Sequence, residues 1–168
     1  MKIRHFLWIF SILGGILSFI SVLIPTSFND TTSTLYYIWI TQIGLDIEPL
    51  AIYLLRTDVM LLLISWMLML IIVTSSILTT TLTIVHIRNL LSFKKLRWIS
   101  LVMALLIVAS TLFWIFMMEA FYNSYGYHHW VLTGGGYTPF LGIILPFIGA
   151  GLIVLGFFQK KENRSVLN

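Results

Sequence analysis

The four histidines and a few acidic residues are the side chains in this sequence whose chemistry could support catalysis or ligand binding. His5 and His86 lie near the ends of apolar runs, whereas His128 and His129 are adjacent in an aromatic segment close to Glu119. Haem held between helices needs two imidazoles at one depth, which only the first pair offers, and the second pair with the acid could hold a metal ion. The competing interpretation is that the first pair are ordinary helix-end histidines and the second pair contact a surface or lipid headgroups.

Other catalytic patterns are absent from the sequence. It has no serine, histidine and aspartate set, no phosphate-binding loop, no HExxH motif, and no carboxylate or lysine in the middle of an apolar run, where pumps and transporters place theirs. Cysteine is also absent, which excludes disulfides, thiolate metal sites, iron–sulfur clusters and thiol redox chemistry. We therefore predict that the protein is not an enzyme and that it has neither a cofactor nor a metal site.

Hydroxyl side chains form a further polar feature, the run TSSILTTTLT from Thr74 to Thr83 within an apolar segment. Such a row could line a polar conduction path, or it could bond the carbonyl that Pro146 frees in a neighbouring helix. Serine and threonine also bond the backbone of their own helix. The sequence leaves these three interpretations open.

The elements that must position these residues are predicted to be membrane helices. Of 168 residues, 59% are hydrophobic and 10% are charged, with a mean hydropathy of +0.99, whereas soluble domains are about half apolar and a quarter charged. Four apolar runs are long enough to cross a hydrocarbon core of about 30 Å. The predicted fold is an all-α membrane protein, a left-handed four-helix bundle forming one domain, with spans at about 5–25, 59–85, 98–118 and 137–158. The first run begins like a signal peptide, but its length favours retention as an anchor.

Basic residues are divided unequally between the segments that connect these spans. The N-terminal end, the segment 86–97 and the tail 159–168 together hold all of the lysines and arginines except Arg56. Because cytoplasmic loops are enriched in such residues, we predict cytoplasmic termini in a cell-membrane protein, with outer loops at 26–58 and 119–136. The basic pI of about 9.5 then reflects orientation in the lipid bilayer and not binding to nucleic acid.

Glycines recur at every seventh position through the last predicted span, at Gly135, Gly142, Gly149 and Gly156. Helix association in lipid depends on van der Waals packing, which small residues promote by letting backbones approach, and a repeat of seven is typical of a left-handed crossing. The facing partner is predicted on the first helix, where the small residues include Gly14, Gly15 and Ser18. The alternative is a self-association face between two molecules.

The first outer loop has strand character at its centre. The stretch STLYYIWITQIGL is rich in β-branched and aromatic residues, which predicts one or two strands. After Gly44, Pro49 with Asp46 and Glu48 before it predicts a short helix. Asn29 begins an N-x-T triplet and is therefore a candidate glycosylation acceptor.

The arrangement resembles the claudin and peripheral-myelin-protein type of tetraspan membrane protein. The resemblance is carried by YYIWITQIGL at 36–45, which is similar to the aromatic stretch of the claudin first loop, and by GGGYTPFLGIILPFIGAGL at 134–152. The two loop cysteines of claudins are not present here. The resemblance implies a four-helix bundle with a small outer sheet that serves lateral or cell-to-cell contact.

We therefore expect a non-enzymatic tetraspan protein with a structural, adhesion or scaffold role, whose outer loops bind copies of itself or another membrane protein. Exposed aromatic side chains dominate interface energetics, so the predicted interaction residues are Tyr36, Tyr37, Trp39 and Trp130. Alternatively, these rings only anchor the loops among headgroups. Two other functions are open: an accessory subunit of a larger respiratory or transport complex, and a small haem- or metal-binding membrane enzyme that uses the histidines.

Overall fold

The structure, a computed structural model, describes residues 3–29, 34–39, 41–44, 52–54, 59–88, 92–124, 137–139 and 141–157. Its helices are α1 (Ile3–Ser21), α2 (Val59–Ile87), α3 (Phe93–Ser124) and α4 (Leu141–Phe157). Its strands are β1 (Ser27–Asn29), β2 (Thr34–Tyr36), β3 (Thr41–Gly44), β4 (Ile52–Leu54) and β5 (Tyr137–Pro139). The predicted mainly helical fold with four helices is therefore confirmed for these residues.

Two stretches of helix are long and apolar enough to cross a membrane, Leu62–Ile87 with 26 residues and Phe93–Ala120 with 28. Helix α1 has 19 residues and α4 has 17. At 1.5 Å per residue, the shorter of these two is about 26 Å long, slightly less than the thickness of a hydrocarbon core.

Two local predictions differ from the structure. Residues 137–139 form β5, so the last helix begins only at Leu141, because this segment pairs with β1 across Phe28 and Thr138. A short helix is expected after Gly44, but residues 52–54 are not helical. They are strand β4, since Ile52 and Tyr53 favour extended backbone and pair with β3.

The five strands form one antiparallel sheet in the order β4-β3-β2-β1-β5. Strands β2 and β3 lie in the stretch STLYYIWITQIGL, in which strands are predicted. Strand β5 is distant in sequence from the other four and joins them through β1, which directly follows α1. The two segments that lead out of α1 and into α4 are therefore held side by side.

Two buried clusters fill the two ends of the helix bundle. The first joins the sheet to the helices and includes Tyr36, Ile38, Ile72, Trp114 and Met118. The second includes Leu96, Ile107, Ala150, Ile153 and Phe157. We call the first end the sheet end. The other is the basic end, because exposed Arg88, Lys94, Lys95 and Arg97 lie there, where α2 and α3 connect.

Candidate functional site

Helix α4 makes its most extensive contact with α1, and glycines lie at the point of closest approach. A Cβ atom added to Gly149 would lie 2.6 Å from the carbonyl oxygen of Gly14, and one added to Gly14 would lie 2.8 Å from the Ile153 nitrogen. Real Cβ atoms do not come this close to backbone atoms. The two backbones are thus in direct contact, and only glycine fits at these two positions without a shift of a helix.

Ser18 completes this crossing on the α1 side. It is fully buried, and its hydroxyl donates a hydrogen bond of 2.9 Å to the carbonyl of Gly14. The Ser18 hydroxyl oxygen is also the atom nearest to a Cβ added at Gly149. Nearer the sheet, the Gly142 amide donates to the Pro25 carbonyl at 3.0 Å. The glycine spacing is therefore used for contact within one molecule at Gly142 and Gly149. Gly156 is buried on α4, and Gly135 lies outside the described residues.

Gly14 and Gly15 have different partners, which the sequence left open. Gly14 faces α4, whereas a Cβ at Gly15 would contact the Thr80 hydroxyl and lie 3.0 Å from the Ser76 carbonyl of α2. Helices α1 and α2 also share a hydrogen bond of 3.1 Å between the Ser11 and Thr83 hydroxyls. Helix α1 therefore lies between α2 and α4 and uses small residues toward both.

Four hydroxyls of the α2 run bond their own helix, whereas the buried Thr79 hydroxyl has no hydrogen-bond partner among the described residues. The Thr74, Ser76, Thr80 and Thr83 hydroxyls donate to backbone carbonyls three or four residues earlier, at distances between 2.6 and 3.2 Å. These bonds agree with the interpretation in which serine and threonine bond the backbone of their own helix. They are made to α2 carbonyls and not to the carbonyl freed by Pro146 in α4.

The aromatic residues described in and directly after β2 are one buried and two half-buried rings. Tyr36 is only 4% exposed, and its carbonyl accepts bonds from the Thr26 amide at 2.7 Å and from the Thr26 hydroxyl at 2.9 Å. The expectation that Tyr36 offers an exposed ring is therefore wrong, because its ring belongs to the core. Tyr37 and Trp39 are half-buried and pair with each other, their ring centroids 5.5 Å apart.

Two further candidate residues have little or no described structure around them. Trp130 lies outside the described residues. Asn29 ends β1, with its backbone opposite Thr34 and Tyr137, and the other two residues of its triplet lie outside the described chain. Glycosylation at this asparagine stays a prediction.

An aromatic cluster closes the basic end of the bundle, and the sequence analysis missed it. Trp8 lies 4.7 Å from His86 and 5.7 Å from both Phe93 and Phe157, measured between ring centroids. Each of the four helices contributes one ring. The signal available in the sequence was an aromatic residue or histidine near the same end of every apolar run. His86 is thus a packing partner of Trp8 and Phe93.

The described part of the structure does not place the other histidines in this cluster. His5 lies in α1 without a described side chain, and His128 and His129 lie outside the described residues. Within the described residues, no group of three or more histidines and acids is placed to hold a metal ion.

Compared with known protein families, curated proteins and solved structures, the chain has no significant match. Its function must therefore be argued from its own geometry.

Proposed function

We propose that this chain is a non-enzymatic tetraspan membrane protein that binds copies of itself or another membrane protein through the sheet end of its bundle. In this proposal all four helices cross the bilayer, the basic end and both termini are cytoplasmic, and the sheet lies outside. The apolar length of α2 and α3 and the placement of Arg88, Lys94, Lys95 and Arg97 at one end support this orientation.

The observation that carries the proposal is the Tyr37–Trp39 pair. Burial alternates from Tyr36, the last residue of β2, through the turn that follows it. Tyr36 and Ile38 are 4% and 1% exposed, while the two paired rings are half-buried. A half-buried aromatic pair that is already held in place by packing loses little side-chain entropy on binding, as the residues that dominate interface energies do. The resemblance to claudin-type proteins points to the same kind of function.

The pairing of the sheet also favours one contact surface over two loops that bind independently. Strand β1 pairs with β2 on one side and with β5 on the other, so both proposed outer segments contribute to one sheet. The amide of Gly142 bonded to Pro25 ties this sheet to the start of α4. A partner would therefore meet a preorganised surface.

The test is extraction of the tagged protein in mild detergent from its own membranes, followed by size exclusion, a full absorbance spectrum and mass spectrometry of the peak. The informative variant is Tyr37→Ala, because Trp39 also packs against the core and its loss would disturb folding. The matched control is Trp98→Ala, an aromatic residue 65% exposed at the basic end. We expect the wild type and the control to elute as multiples of the chain mass and Tyr37→Ala to shift toward the monomer.

Other outcomes separate the alternatives. A companion protein in constant ratio that Tyr37→Ala releases would identify an accessory subunit of a larger complex. A Soret band in the peak would replace the proposal with a haem protein, and an unchanged assembly in Tyr37→Ala would show that the sheet end is not the contact surface.

A further inference from the structure

An open apolar groove of about 570 Å³ runs between α3 and α4 on the side of α4 that faces away from α1. Leu101, Leu105 and Val108 line it from α3, and Phe147 and Gly151 line it from α4. A Cβ added at Gly151 would meet nothing within 4 Å, so the groove has free space at this position. Its volume is within the range of about 300–1,000 Å³ that small-molecule sites occupy.

Positively charged side chains of α3 lie near the basic end of this groove. With 100° of rotation per residue, Lys94 and Arg97 lie within about 40° of Leu101 around α3, and Lys95 lies about 120° away. All three basic side chains are exposed. Two of these three cations, Lys94 and Arg97, therefore lie on the same face of α3 as the apolar lining of the groove.

The beginning of α3 adds to the attraction for an anion. Its first turn contains no acidic residue, so the positive end of the helix dipole is not offset there by a carboxylate. Basic side chains at this position are repelled by the positive end of the dipole. A phosphate group would be stabilised by the side chains and by the dipole.

We propose that this groove binds one acidic glycerophospholipid, with an acyl chain along the groove and the phosphate at Lys94 and Arg97. The proposal rests on the bilayer placement proposed above. The distance along α3 from Arg97 to Val108 is about 16 Å at 1.5 Å per residue, close to the thickness of one leaflet, about 15 Å. The site therefore matches the length and apolar character of a lipid from the cytoplasmic leaflet, and its positive charge is opposite to that of an acidic headgroup.

The test uses the full chain in phosphatidylcholine vesicles that contain a small fraction of phosphatidylglycerol with a photoreactive group on its acyl chain. Photoreactive phosphatidylcholine of the same chain length is the reference probe, and mass spectrometry locates the labelled peptides. We expect phosphatidylglycerol to label the facing segments of α3 and α4 preferentially. Each groove-facing cation that is neutralised, Lys94→Gln or Arg97→Gln, should reduce that preference about fivefold, the effect of one basic residue near an anionic lipid surface.

Two matched controls isolate the site. Lys95→Gln removes the same charge from the same turn but away from the groove, and it should leave the preference unchanged. Gly151→Leu fills the groove and should abolish labelling by both probes there, whereas Thr74→Leu adds a similar side chain to an exposed position of α2 and should not. Size-exclusion profiles of all variants check that the fold is retained.

Equal labelling by the two probes, or a Lys95→Gln effect as large as that of Lys94→Gln, would overturn the proposal. Absence of labelling by either probe in the groove, together with labelling elsewhere on the helices and elution as a dimer, would also overturn it and would make the groove a helix contact between copies. Failure of the membrane placement itself is distinguishable, because no helix would then be labelled by either probe. Tyr37→Ala should not alter the labelling, so the contact function is tested separately.

Discussion

The two sides of helix α4 contain the same residue type in opposite surroundings. Toward α1, Gly149 lies against the backbone of Gly14 and the hydroxyl of Ser18. Toward α3, Gly151 faces open space at the floor of the groove. The two glycines are two residues apart, which places them about 160° apart around the helix. A glycine in an apolar helix is thus a contact point or a gap according to its neighbours, and its presence alone does not say which.

The difference also separates two kinds of stabilisation. The α1 side depends on a close fit between backbones, where one added methyl group displaces a helix. The α3 side leaves apolar surface uncovered by protein, where an added methyl group meets no protein atom.

The largest effect is expected for Gly149→Val. Its side chain would have to enter the backbone of α1, which cannot move aside as a flexible side chain could. We expect the free energy of unfolding to fall by about 3 kcal/mol, the upper part of the usual range for overpacking. Unfolding titrations in mixed detergent micelles measure it, with Gly151→Val as the control. Equal losses in the two variants would contradict the contrast between the two sides.

A double-mutant cycle tests the direct contact between Gly14 and Gly149. Either Gly→Ala substitution should separate the two helices, so the second should cost less once the first is present. We expect the double variant to lose less than the sum of the single losses, with a coupling energy of at least about 0.5 kcal/mol. The control cycle pairs Gly149→Ala with Gly15→Ala, because Gly15 faces α2. Additive losses in the first cycle would show that the two glycines are not in contact.

A smaller effect is expected for Ser18→Ala. The substitution removes a hydroxyl that bonds the carbonyl of its own helix and fills the space beside Gly149. Side-chain hydrogen bonds between membrane helices are worth about 0.6 kcal/mol on average, and we expect the loss of this bond within one helix to cost no more than that. The same titrations measure it, and a loss as large as that of Gly149→Val would mean that the hydroxyl, not the backbone approach, holds the crossing.

The smallest effect is expected for Gly151→Ala. A methyl group there meets no neighbour within 4 Å, so the free energy of unfolding should change by no more than about 0.5 kcal/mol. A clear loss of stability in the same measurement would show that the α3 side of α4 is also a close-packed interface.

Much of the helical fold followed from the sequence because apolar length and glycine spacing are local properties. The repeat of seven predicted that α4 would pack closely through Gly142 and Gly149, and the structure shows these contacts. Which of Gly14 and Gly15 faces α4 was not predictable, since adjacent residues differ by 100° and the rotation of α1 is set by packing against both neighbours.

The sheet was less predictable because strand pairing is a long-range property. Pro49 and its acidic neighbours favoured a helix, but pairing with β3 holds Ile52–Leu54 in a strand. The alternation that buries Tyr36 and leaves Tyr37 half-buried has the period of two seen in strands, although only Tyr36 lies within β2. Its phase depends on which face of the sheet meets the helices, and the local sequence does not specify that.

The sheet order has a consequence for synthesis of the chain. In the finished protein β1 is an interior strand, paired with β2 and β5. Until residue 139 has left the ribosome, however, β1 is the edge of an incomplete four-stranded sheet and its free hydrogen-bonding groups are open to other strands. Every chain truncated after α3 retains that open edge permanently. Addition of β5 therefore moves this edge of the sheet from β1 to a three-residue strand that ends at Pro139, a residue without an amide hydrogen to donate.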